Sequence, residues 1–133
     1  MIKNKLISPY VFPGIKHNQL PNDIRHKMNK FVMRDPEDIT EDFIMGVVSG
    51  VSNIEGKDIA SPSRNIRIVD ARRIYIFNVK RYMKKSYVYI GKTLSNRDHT
   101  TITFSIKKYH DLYKTEDRFR KMADRVTQLI EFY

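Results

Sequence analysis

Arg97, Asp98, His99, Thr100 and Thr101 stand in a row just before an apolar pattern that recurs at helical spacing. These residue types allow three chemistries. An imidazole beside a carboxylate begins a general acid–base pair. An aspartate ahead of a helix caps its free N–H groups. An arginine, a histidine and two hydroxyls on one short stretch can also hydrogen-bond another molecule, DNA base edges included. Catalysis needs more partners than the chain offers. Neighbours on a helix point about 100° apart, so Asp98 and His99 are not expected to pair. His17, His26 and His110 are dispersed, there is no cysteine, and the serines lack a nucleophile-elbow context. The carboxylates that a metal-dependent nuclease would need cluster instead in residues 35 to 60. The expectation is a non-enzymatic chain with no metal and no cofactor.

Charge favours the third chemistry. The chain has 133 residues and a formal net charge of +10. Residues 1 to 34 are basic and residues 35 to 60 are acidic to the same extent, so the two cancel. Residues 61 to 110 carry twelve Lys/Arg against Asp70 and Asp98, which accounts for the whole excess. A fifty-residue block of one sign attracts polyanions, nucleic acid foremost; the alternative is a basic surface that is merely solvated. No apolar run approaches a membrane span and the amino terminus lacks a secretory signal, so a soluble, cytoplasmic protein is expected, without membrane contact.

The elements that must position these residues read as helices. Residues 8 to 21, SPYVFPGIKHNQLP, hold three of the five prolines and form an extended or looped lead-in. The pattern allows a short helix from Asn22 to about Met33, broken by Arg34-Asp35-Pro36. Thr40 precedes Glu41 and Asp42 as an amino-terminal cap with acids in the first turn, and Phe43, Ile44, Val47, Val48 and Val51 supply the buried stripe. "NIEGKDIASPSRN" reads as a turn and polar loop. The longest pattern runs from about Ile66 to Met83, with Ile68, Ala71, Tyr75, Val79 and Tyr82 inward and Arg72, Arg73, Lys80, Arg81, Lys84 and Lys85 on a basic side. A short helix over Tyr87 to Leu94 and a turn at Ser95-Asn96 follow. Ile102, Ile106, Tyr109 and Tyr113 then recur at helical spacing. The last helix, about Glu116 to Tyr133, shows Phe119, Met122, Val126, Leu129 and Tyr133. The tyrosines on these stripes read as core rather than as base-stacking platforms. The fold class is all-α, a multi-helix bundle, with residues 1–38 an irregular amino-terminal arm and 39–133 the domain.

A short helix, a tight turn and a second helix opening with polar residues is a helix-turn-helix, whose second helix offers its first residues to the major groove. Residues 86 to 101, "SYVYIGKTLSNRDHTT", resemble the signature of the carboxy-terminal DNA-binding domain (domain IV) of the bacterial replication initiator DnaA, which ends in Arg-Asp-His-Thr-Thr and an aliphatic residue. The similarity runs from about Thr40 to the end. It implies a helix-turn-helix bundle like those of DnaA domain IV and the Trp repressor, and double-stranded DNA as partner.

The resemblance implies base contacts in the major groove by Asp98, His99 and Thr100, and entry of Arg64 into the minor groove. It implies phosphate contacts by Thr101, Lys80 and Arg72. Tyr87 and Val88 fall where the family touches thymine methyls. Arg97 matches the signature's arginine, in phosphate contact or in support of the turn. Lys84 and Lys85 join the phosphate set on charge. The chain departs from the family in having Ser95-Asn96 for Gly-Gly, Val88 for a proline, and Val69-Asp70-Ala71-Arg72 for Ala-Arg-Pro-Arg. It has no Gly-x-x-x-x-Gly-Lys-Ser/Thr loop, so neither a nucleotide partner nor an ATPase module is expected.

These readings lead to sequence-specific double-stranded DNA binding in replication initiation or its regulation. Two others stand beside it. One is a transcriptional regulator of a phage or mobile element, with the arm engaging a protein partner or DNA. The other is a protein-interaction adaptor that docks through its acidic helix, residues 35 to 58. Asp98 could equally serve as a plain cap, and Thr100 and Thr101 as first-turn spacers.

Overall fold

In the computed structural model of the protein, residues 33–132 are described. The lead-in at 8–21 and the helix allowed over residues 22–32 lie outside them. The described residues form six α-helices and one 3-10 turn (Pro36–Asp38), with no strand beyond an isolated antiparallel bridge between Met33 and Phe132. The bundle is all-α.

Helix α1 (Glu41–Ser52) starts where the Thr40 hydroxyl accepts the Phe43 N–H at 3.1 Å, with Glu41 and Asp42 in its first turn. Both satisfy the positive end of the helix. It ends on Asn53 in the left-handed region and buries Ile44 and Val48. The segment read as a polar loop contains a further short helix, α2 (Gly56–Ile59), which buries Ile59. Four residues give one turn, too few for a period to register.

Helix α3 (Ile66–Met83) is the axis of the bundle. Asn65 caps it by accepting the Arg67 N–H at 3.0 Å, and it stops at Lys84, φ 55°. Its buried residues include Ala71, Ile74, Tyr75, Ile76 and Val79, and all five other helices pack on it. Such wide burial is what a central helix requires. It reaches Arg72, assigned from sequence to the solvated basic side but only 7% exposed here.

Helices α4 (Tyr87–Thr93) and α5 (His99–Thr115) pack on each other beside α3, and α6 (Asp117–Glu131) closes the bundle against α1 and α5. Tyr109 of α5 stacks on Phe77 of α3 with centroids 3.9 Å apart and meets Phe119 of α6 edge-on, so these rings hold the core. The buried stripe of α6 is Phe119, Ala123, Val126, Thr127 and Ile130. Leu129, expected inside, is 37% exposed instead, because the stripe runs through its neighbour Ile130.

The segment from Met33 to Asp38 is joined to the end of α6. Arg34 donates from its backbone to Glu131 O (2.7 Å) and from its guanidinium to the carbonyls of Ile130 and Phe132 (3.0 and 3.1 Å). These are carbonyls that a helix carboxy terminus leaves unmatched, at its negative end.

Candidate nucleic-acid interface

The turn between α4 and α5 is built around Gly91. The Arg97 N–H donates to Gly91 O at 2.8 Å, and a Cβ at position 91 would lie 2.0 Å from Arg97 O. No other residue fits there without moving the turn. Ser95 and Asn96 occupy consecutive left-handed conformations, φ 58° and 55°. Glycine enters this region freely, whereas here two residues with side chains are held in it. Asparagine tolerates this region. Ser95 has a partner that only the fold supplies: its hydroxyl donates to Ala60 O at 2.6 Å.

Helix α5 opens with a polar, exposed end on an apolar anchor. Asp98 precedes it in extended conformation, and Ile102 one turn later is fully buried between α4 and the core. The side chains of Asp98 and His99 are 65% and 56% exposed; Thr100 and Thr101 are exposed as well. Asp98 makes no side-chain cap. Its carboxylate accepts the Thr100 hydroxyl through Oδ2 and lies 3.1 Å from His99 Nδ1 through Oδ1. The Thr100 hydroxyl holds the Asp98 pKa below its usual value, and His99 contributes less. The contact between Asp98 and His99 corrects the expectation that they stay apart. The 100° rule applies between two helical residues, and Asp98 sits ahead of the helix, where its backbone is extended.

The lysines at the carboxy-terminal end of α3 are tied to the start of α4. Lys80 Nζ donates to Lys85 O at 3.0 Å and stands 4.6 Å from the centre of the Tyr87 ring; Lys85 Nζ stands 4.9 Å from that of Tyr89. Cation–π attraction of this kind orients an ammonium without neutralising it. Tyr87 is thus half-buried beneath a lysine, whereas Val88 beside it is 51% exposed and Lys84 is exposed.

Arg64 is exposed in the loop before α3 and makes no hydrogen bond or ion pair among the described residues. Arg72 and Arg97 differ. Arg72 donates to the carbonyls of Ile59 (2.7 Å), Ser61 (2.6 Å) and Ser63 (3.1 Å). Arg97 donates to those of Leu94 (2.7 Å), Ser61 (2.6 Å) and Ala60 (3.3 Å). Burial, then the neighbouring Arg97 and Arg73, push the Arg72 pKa down to about 10, still far above neutrality. Burial also lowers that of Arg97. Phosphate contact was expected of Arg72, and its guanidinium is inside, spent on backbone carbonyls. Of the two roles open for Arg97, this geometry matches support of the turn.

Sequence reasoning placed Ser95 in the turn but missed its bond to Ala60, and it singled out neither Gly91 nor Phe104. Phe104 of α5 is 59% exposed. The available signal was an aromatic residue off the Ile102, Ile106, Tyr109 stripe. Among the described residues, no group of three or more His, Asp or Glu side chains could hold a metal, and no helix is long and apolar enough to cross a membrane.

The family model described as the bacterial DnaA protein helix-turn-helix matches residues 42–108, from the first turn of α1 to the middle of α5. The chromosomal replication initiator protein DnaA of Flavobacterium psychrophilum is 31% identical over 101 residues, which cover 76% of this chain and 21% of that protein. The protein of the same name from Campylobacter curvus is 29% identical over 119 residues, covering 89% of this chain and 27% of that one. That of Campylobacter fetus subsp. fetus is 25% identical over 130 residues, 97% of this chain and 30% of the other. The chain therefore spans between a fifth and a third of the length of these relatives.

Proposed function

Since the chain belongs to the bacterial DnaA helix-turn-helix family, we propose that it binds double-stranded DNA in a sequence-specific manner and acts in replication initiation or its regulation. The observation that carries this reading is the start of α5. Asp98, His99, Thr100 and Thr101 are solvent-exposed at the mouth of a 17-residue helix whose next turn is locked into the core through Ile102. Rigid presentation matters because reading a base edge by hydrogen bonds requires the donor to be held before the groove arrives.

In this reading Asp98, His99 and Thr100 meet base edges in the major groove, and Val88 and Phe104 supply apolar contacts to thymine methyls. Lys80, Lys84, Lys85 and Thr101 meet phosphates, and Tyr87 acts by holding Lys80. Arg64, exposed and uncommitted, enters the minor groove. The basic block supplies most of the affinity through counterion release; the α5 start supplies the choice of sequence.

Selection from a random duplex pool, followed by footprinting, tests the proposal. One short box should emerge and be protected as a discrete patch. The His99→Ala chain should lose about 1–3 kcal/mol of discrimination between that box and a scrambled duplex. Recovery of no consensus, or equal weakening on both duplexes, refutes it.

A further inference from the structure

Arg72 and Arg97 approach the loop between α2 and α3 from different elements. Arg72 comes from the first half of α3 and Arg97 from the turn of the helix-turn-helix, and both donate to the carbonyl of Ser61 at 2.6 Å. The Ser95 hydroxyl adds its bond to Ala60 O, so four of the five carbonyls of residues 59–63, those of Ile59, Ala60, Ser61 and Ser63, are gripped from two sides. The loop's own side chains stiffen the remainder: Ser63 N donates to Ser61 Oγ, Asn65 N to Ser63 Oγ, and Arg67 N to Asn65 Oδ1. Arg64, between these turns, is exposed, as are Pro62 and Asn65.

The grip uses neutral acceptors. Among the described residues, ion pairs engage Arg73, Arg81 and Arg120, but neither Arg72 nor Arg97 meets a carboxylate. A carboxylate would fasten the loop as well, yet it would set a negative charge beneath a surface that must approach phosphates. Neutral carbonyl acceptors fasten it and leave both positive charges in place. The planar fork of each guanidinium reaches several carbonyls at once, which a lysine ammonium at the end of a flexible stem does not.

We propose that Arg72 and Arg97 are positioning residues, a clasp that fixes the loop carrying Arg64 to the turn that carries His99, so that the two approach DNA as one rigid unit. The inference rests on the DNA-binding reading above. Holding two reading heads in register removes the entropic cost of ordering the loop at the moment of binding. Neither arginine touches DNA in this scheme.

A double-mutant cycle on the full chain tests it, with the duplex selected by the wild-type protein as probe. Arg72→Lys, which alters only the bonds to residues 59–63, should weaken binding about tenfold when Arg64 is present and less than about twofold in the Arg64→Ala background, since a positioning residue loses its effect with the residue it positions. Ser95→Ala, which removes one exposed bond and spares the fold, should show the same pattern at smaller size. Amide hydrogen exchange at Ser61, Ser63, Arg64 and Asn65 of the free protein should speed up in both variants. Losses that are equal with and without the Arg64 side chain, or unchanged exchange in the loop, overturn the clasp. If the wild-type chain selects no duplex, the DNA reading fails and this inference with it. A selected duplex with additive losses sinks the clasp alone.

Discussion

The same substitution, glycine to alanine, should have opposite effects at two helical positions. At Gly91 the new methyl would lie 2.0 Å from the Arg97 carbonyl oxygen and 3.5 Å from Ile102 Cγ1. Real side chains do not approach backbone below 3.0 Å, so the turn must retreat by about 1 Å. Retreat lengthens the 2.8 Å bond from Arg97 N to Gly91 O. Overpacking of this kind costs about 1–3 kcal/mol, and the weakened hydrogen bond about 1 kcal/mol more. The better helix propensity of alanine returns about 1 kcal/mol. The net is a loss of about 1–3 kcal/mol, and for a domain of this size each kcal/mol moves Tm by about 4–8 °C. At Gly46, exposed in the middle of α1, an added Cβ meets nothing within 4 Å. Only the propensity gain remains there, so Gly46→Ala should raise Tm by a few degrees. Thermal melts followed by circular dichroism compare the two variants in one buffer. Because the clash also displaces the residue that precedes Asp98, Gly91→Ala should lose DNA discrimination even well below its Tm. A Gly91→Ala protein as stable as the wild type would refute the close approach of α4 to the turn.

Three further outcomes separate the roles argued for individual side chains. Lys80→Ala should weaken selected and scrambled duplexes alike and reduce the slope of log K against log salt by about 1, as loss of a single phosphate contact requires; a change confined to the selected duplex would contradict that role. Arg72→Met leaves the carbonyls of Ile59 and Ser63 without their donor and that of Ser61 with Arg97 alone, and should cost about 2–4 kcal/mol of stability in a urea titration, whereas a surface phosphate contact would leave the midpoint unmoved. The carboxylate of Asp98 has its pKa depressed chiefly by the Thr100 hydroxyl, so its favourable contribution is complete above the ordinary aspartate value of 3.8 and is lost as pH falls through the lowered one. Thr100→Val should move the Asp98 carboxyl titration, followed by NMR, back up toward that ordinary value; an unmoved titration would show that another group sets it.

The elements that came through from sequence alone are those decided by neighbours in the chain. Thr40 and its acids fix the start of α1 because a cap acts over three residues, and the stripe of α3 recovers Ile66–Met83 because helix periodicity is a local property. The exposed Asp98, His99 and Thr100 were legible for the same reason, since a turn followed by an apolar repeat sets where a helix begins. Helix α2 is shorter than the window in which a period can be seen. Leu129 and Ile130 are both apolar, and only the packing of α6 on its neighbours decides which of them is buried.

Charge is where tertiary structure had the last word. A count of lysines and arginines treats each as surface, and the sum over residues 61 to 110 does point to a polyanion. The sum cannot separate Arg64, which faces solvent, from Arg72 and Arg97, whose acceptors lie 13 and 36 residues away along the chain. A guanidinium goes inside only when folding brings carbonyls to it, and those carbonyls belong to a loop whose path is set by the helices on either side. The sequence by itself thus determined the helical class, the main helix boundaries and the residues offered at the tip of α5. The tertiary structure decided which arginines remain outside and which hold the surface together, because an arginine's surroundings are made by distant parts of the chain.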